Sequence, residues 1–152
     1  MRWSKLRALV REGFAPSISE KIDIHSAAYG NCTCGHCWIT YEKAVVANFC
    51  TRAYFNKLML DEEGTNPKTK NLLVAYCEKS RQDAYSSMFS FVHDLSLEDA
   101  LNSNDPLIQC LAVIDRRVGK RRLKTLVPEK FNDLARALLS KRKEAEGLEI
   151  GT

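Results

Sequence analysis

The chain has 152 residues and a mass of 17.2 kDa, enough for one domain and too little for two independent cores. With 45% apolar and 28% charged residues it has the balance of a folded globular protein, which excludes collagen-like, mucin-like, coiled-coil and wholly disordered chains. The net charge is +4, but residues 115–143 carry 11 basic against 3 acidic side chains, so one end is strongly basic and the rest mildly acidic.

Trp3, Leu6, Val10 and Phe14 recur at helical spacing, and Gly13 and Pro16 stop the pattern, so a short amphipathic helix is expected over 3–12. From Ser19 the period changes. Ile22 and Ile24 alternate with Lys21, Asp23 and His25, as in a strand with one buried face. A turn-rich loop from Gly30 to about Cys37 leads to an aromatic and β-branched strand at 38–41. Glu42-Lys43 reads as a turn and 45–50 as a third strand, so the three form a small antiparallel meander.

The remainder reads as helical. Helices are expected over 52–61 and 70–79, separated by a polar, mobile loop at 61–67. A further helix covers 81–94, with Tyr85, Met88, Phe89 and Val92 at one helical spacing. Ser96 can cap a short turn of helix. Asp105-Pro106 is a strong start signal, because the Asp oxygen accepts orphan N–H groups and Pro suits the first helical position. That helix is expected to run with Leu107, Ile108, Leu111 and Val118 on one face and to end at Gly119. Pro128 is expected to open the last helix, with Phe131, Leu134, Ala135, Leu138 and Leu139 inward and a polar tail that frays from Lys141. The expected fold class is therefore α+β: a three-stranded antiparallel sheet packed by about five or six helices, with a helical C-terminal half. It forms a single domain over 1–147 with a frayed end at 148–152.

No stretch approaches the roughly 18 apolar residues of a membrane span, and the first residues lack a secretory apolar core, so a cytoplasmic protein is expected. Thiols are then mostly reduced. Cys32, Cys34, His36 and Cys37 are candidate zinc ligands, which Cys50 and His25 complete only if the strands place them beside the loop. Adjacent residues such as His36 and Cys37 seldom reach one ion. Cys34-Gly35-His36-Cys37 also resembles the site of protein disulfide isomerases, but strand-like rather than helical residues follow it. The plain alternative is a turn that carries thiols, with no cofactor.

The second signal is basic. Arg116, Arg117, Lys120, Arg121, Arg122 and Lys124 form a dense cationic run, with Arg116 and Arg117 expected in the last turn of a helix, where its dipole favours them. Guanidinium forks suit carboxylate or phosphate. The run is either a solvated helix face or a recognition surface for an acidic protein or a nucleic acid. No interleaved aromatics accompany it. Catalytic motifs are lacking: His25, His36 and His93 stand in no recognisable triad, and Gly119-Lys120 lacks the upstream glycine of a phosphate loop.

Arg2-Trp3-Ser4-Lys5-Leu6, His25-Ser26, Trp38-Ile39-Thr40, Asn48-Phe49-Cys50, Ala100-Leu101-Asn102-Ser103, Asp115-Arg116-Arg117-Val118-Gly119-Lys120-Arg121-Arg122-Leu123 and Ala145-Glu146-Gly147 together resemble a family of short hypothetical bacterial proteins of unknown function. Some members carry a peptide-synthetase label that a chain this short cannot justify. The resemblance implies no activity and no catalytic residue. It implies that the basic end belongs to the common design and that the cysteines of the 27–37 loop do not. The leading expectation is a non-enzymatic binding protein that recognises an anionic partner, such as a toxin bound by an immunity-type protein, and that self-associates through an apolar helix face or the sheet edge. The alternatives are a pocket between sheet and helices where His25, Tyr29, Trp38 and Arg116 converge, and a thiol or zinc protein.

Overall fold

The computed structural model describes residues 1–27, 35–49 and 79–148. The helices expected over 52–61 and 70–79, the 61–67 loop, Tyr29, Cys32, Cys34, Cys50 and the end of the tail lie outside the described residues. The elements are α1 (Trp3–Glu12), β1 (Ile22–Ala27), β2 (His36–Tyr41), β3 (Ala44–Phe49), α2 (Arg81–His93), α3 (Leu97–Leu101), α4 (Pro106–Val113), α5 (Lys120–Thr125), a single 3₁₀ turn (Pro128–Lys130) and α6 (Asp133–Ala145). About half of the described residues are helical, and the fold is α+β as expected. The chain divides into two compact units, one of residues 21–86 and one of residues 1–20 with 87–152.

The first unit holds the sheet, ordered β1-β2-β3 and antiparallel throughout. Alternation sets its two faces. Ile22 faces Tyr41, Ile24 faces Ile39, and Cys37 faces Phe49, all of them buried. The opposite face carries Asp23, His25, His36, Trp38, Thr40 and Asn48, each half-buried. β2 begins two residues earlier than expected, so His36 and Cys37 are strand residues rather than loop residues. A bulge between Ile39 and Thr40 pairs Ile39 with Ala47 and Thr40 with Val45, which leaves Val46 as the extra residue. It explains why consecutive residues Val46 and Ala47 are both buried.

The second unit is helical, and the division between the units falls within α2, after Ser86. Leu6 and Val10 of α1 are buried as the spacing predicts. The buried side of α2 is Ala84, Ser87, Met88 and Phe91, one step round from the expected stripe, while Tyr85, Phe89 and Val92 are half-buried. Polar Ser87 is tolerated there because its Oγ donates to Asp105 Oδ2 at 2.6 Å. Ser96 caps α3 by accepting from Asp99 N, and Asp105 Oδ1 caps α4 by accepting from Leu107 N and Ile108 N at 2.9 and 3.2 Å. Every residue of α4 from Leu107 to Val113 is buried, as for a helix that is apolar nearly all round. Its one polar residue, Gln109, donates to Leu101 O at 3.1 Å and accepts from Asn132 N at 2.8 Å and Asn132 Nδ2 at 2.6 Å. Asn132 Oδ1 in turn caps α6 by accepting from Ala135 N. This polar joint fixes the start of α6 to α4, and the two helices pack along each other.

Three expectations are corrected here. The helix from Pro106 ends at Val113 rather than at Gly119, and Gly119 is the N-cap of α5. Pro128 opens only the 3₁₀ turn, while α6 starts after Asn132. The polar run after Lys141 stays helical to Ala145, with Arg142 and Lys143 buried. In each case hydrogen-bond partners elsewhere in the fold, side chain or main chain, are ones that local spacing does not reveal.

Candidate basic recognition surface

Between α4 and α5 the chain leaves the helix to pair with the end of α1. Phe14 and Asp115 form a bridge, Ala15 N donates to Ile114 O at 2.8 Å, and Arg116 N donates to Gly13 O at 2.7 Å. The approach is close: a Cβ on Gly13 would lie 3.2 Å from Asp115 Oδ2, so the position suits glycine. Asp115 is 3% exposed, and its carboxylate folds the segment on itself. Oδ1 accepts from Arg117 N at 2.8 Å and Arg117 Nε at 3.0 Å, and Oδ2 accepts from Arg117 Nη2 at 3.2 Å. This fork holds the Arg117 guanidinium even more firmly protonated than an ordinary arginine, chiefly through the hydrogen bonds. The guanidinium also lies 5.8 Å from the centre of the Phe91 ring.

Arg142, 2% exposed, locks the same segment from the other side. Its Nη1 donates to Val113 O at 2.8 Å and Asp115 O at 2.9 Å, its Nη2 donates to Val118 O, and its Nε bonds Glu146 Oε2 at 2.8 Å. One guanidinium thus satisfies the end of α4 and the loop that follows it. The expected helix-dipole role for Arg116 and Arg117 is therefore replaced. They sit on a bend between helices, pinned by a buried carboxylate and a buried guanidinium.

The six sequence-predicted cations divide into two groups. Arg117 is paired with Asp115, and Arg122 with Glu98 of α3. Arg116, Lys120, Arg121 and Lys124 are exposed, and among the described residues they make no ion pair. Leu123, fully buried, anchors α5 and turns the neighbouring cations outward. Lys120 and Arg121 stand in the first turn of a helix with no acidic residue there and no side-chain cap. The positive end of the helix dipole disfavours these two cations, whereas Arg122 and Lys124 stand in the last turn, where the dipole favours them.

Of the other predicted positions, His25, His36, Cys37 and Trp38 are described, and they lie in the sheet unit. Trp38 stacks with two imidazoles, with ring centres 5.2 Å from His25 and 4.6 Å from His36. His25 Nε2 is 2.9 Å from Thr40 Oγ1. The Cys37 side chain lies on the opposite, buried face, so His36 and Cys37 project away from each other. Burial pushes the Cys37 thiol up, against a hydrogen bond from Ser26 and the charge of Arg81, and an inert thiol is the result. Among the described residues no group of three His, Cys, Asp or Glu side chains is placed to hold a metal ion, and no helix is long and apolar enough to cross a membrane.

The sequence already allows Asp115 to pair with a nearby arginine, and it pairs with Arg117. Sequence reasoning missed two residues that shape this surface: Arg142 as the clamp of the segment and Glu98 as the partner of Arg122. Only Arg142 had a local signal, its spacing to Glu146 at i, i+4. A model of the SF0329 protein family, a family of uncharacterised function, matches residues 2–142, and the chain belongs to that family. No curated protein and no solved structure matches it.

Proposed function

We propose that this member of the SF0329 protein family is a cytoplasmic binding protein that recognises an acidic protein through Arg116, Lys120, Arg121 and Lys124. The observation that carries the reading is the set of exposed cations that make no ion pair among the described residues, presented by a segment whose other charges are held internally. Lys120 and Arg121, at the positive end of the α5 dipole, weaken the fold locally, and an external counter-charge offsets that cost. An acidic protein fits better than a nucleic acid, because the ring beside the patch, Phe91, is buried and offers no face for a base to stack on. Such a surface steers association through its field and loses strength as salt screens it.

The test is affinity capture from the source cells by the intact chain, with and without nuclease, beside Arg121→Glu combined with Lys124→Glu. Both side chains are exposed, so the double variant keeps its fold, which circular dichroism checks. An acidic protein retained by the native chain at low salt, insensitive to nuclease and bound at least about tenfold more weakly by the variant, is the expected result. Equal recovery by the variant overturns the reading, and recovery that disappears with nuclease assigns the surface to nucleic acid.

A further inference from the structure

Beside α5 the helical unit opens a groove of about 280 Å³. Leu101 and Phe131, both buried, form its apolar base, and Arg122, Lys130, Asn102 and Asn104 stand at its polar rim together with Glu98. That volume is small for a drug-sized ligand and suits one side chain or a short dicarboxylate. Lys130 and Asn104 are exposed and, among the described residues, have no side-chain hydrogen bond or ion pair. Arg122 is occupied, but by a weak partner: Glu98 is 63% exposed and the arginine 38%, so water and salt compete with their contact.

We infer that this groove is a carboxylate-binding site in which Glu98 acts as an internal stand-in, holding Arg122 until a carboxylate from outside replaces it. The inference rests on the acidic-protein reading and supplies its anchor point: an Asp or Glu side chain of the partner lays its methylene groups on Leu101 and Phe131 and its carboxylate on Arg122 and Lys130. The chain's own choice of a carboxylate for Arg122 argues for this chemistry. A guanidinium that already pairs with one carboxylate through Nη2 can pair with another. Phosphate of a nucleic acid is disfavoured because the base of the groove presents no exposed ring for stacking.

The exchange predicts that removing Glu98 tightens binding. Glutarate is the probe, titrated into the intact chain while the Arg122 Nε–H resonance is followed by NMR, so that no protein partner is required. Glu98→Gln should lower the apparent Kd for glutarate by about three- to fivefold, the worth of one exposed ion pair. Asp99→Asn removes the same charge one residue away and should change it by less than about 1.5-fold, well under one exposed pair. In an Arg122→Gln background, where the backbone amide resonances of the groove residues Thr125 and Lys130 follow the titration, the gain from Glu98→Gln should vanish. Equal effects of Glu98→Gln and Asp99→Asn, a gain that survives Arg122→Gln, or no saturable response in Glu98→Gln each overturn the inference. These results are independent of the capture experiment, so a failed groove and a failed partner reading are told apart.

Discussion

Single side chains decide the local shape of the basic surface. Arg142 offers its guanidinium to three backbone carbonyls and one carboxylate in a site closed to water. Replacing it with Met keeps the bulk and removes every donor, so the Val113 and Val118 carbonyls and Glu146 lose the arginine, while Asp115 O keeps only Val118 N. A loss of about 3–5 kcal/mol of unfolding free energy is expected in urea denaturation, with Arg142→Lys intermediate because an ammonium cannot span the set. A loss below about 1 kcal/mol would show that water satisfies the loop instead. His36 is the titrating counterpart in the sheet unit. Burial depresses its imidazole below the ordinary value of about 6.5, so the unfolded chain takes up the proton more readily than the folded one. Its contribution is fully present above that value and is lost as the pH falls through the lower, folded-state value. Urea midpoints should therefore drop as the pH goes from about 7 to about 5.5, and His36→Gln should flatten part of that slope. Identical slopes in the two proteins would remove His36 from the account.

At the scale of elements, the hairpin between β2 and β3 is closed by two residues in left-handed backbone, Glu42 at φ 49° and Lys43 at φ 71°. That is the geometry of a two-residue turn whose twist matches its strands, and it ordinarily carries Asn and Gly. Two side chains with a Cβ in this region cost roughly 1 kcal/mol each. Glu42→Asn with Lys43→Gly should raise the stability of the sheet by about 1 kcal/mol, once the greater freedom of glycine in the unfolded chain is counted. Thermal and urea unfolding measure it, and an unchanged midpoint would mean that the turn carries no such penalty. Elements with a strong local code were legible in advance: α1 from its apolar spacing, β1 from alternation, α3 and α4 from Ser96 and Asp105. The end of α4 was not. Local signals favour a helix up to Gly119, but the bridge between Phe14 and Asp115 and the Arg142 clamp join residues about a hundred and about thirty positions apart, and these contacts take the segment out of the helix.

Over the whole molecule, charge is segregated by position in the chain, and the family match covers both the sheet and the basic end. The fold class, the order of the strands and the existence of a basic stretch were determined by the sequence alone, because each follows from a short-range pattern: periodicity, caps and the count of charges. Which cations face outward was decided only by tertiary structure. Arg117 and Arg122 look like their neighbours in the sequence, yet one meets Asp115 and the other Glu98. Likewise Arg142 reads as part of a polar tail and proves to be buried, while His25 stacks with Trp38 only because β1 and β2 pair in that register. The physical reason is common to all of these. A charged or polar group chooses its environment by the partner that desolvation demands, and that partner comes from wherever the folded chain returns, at a distance that no local pattern encodes.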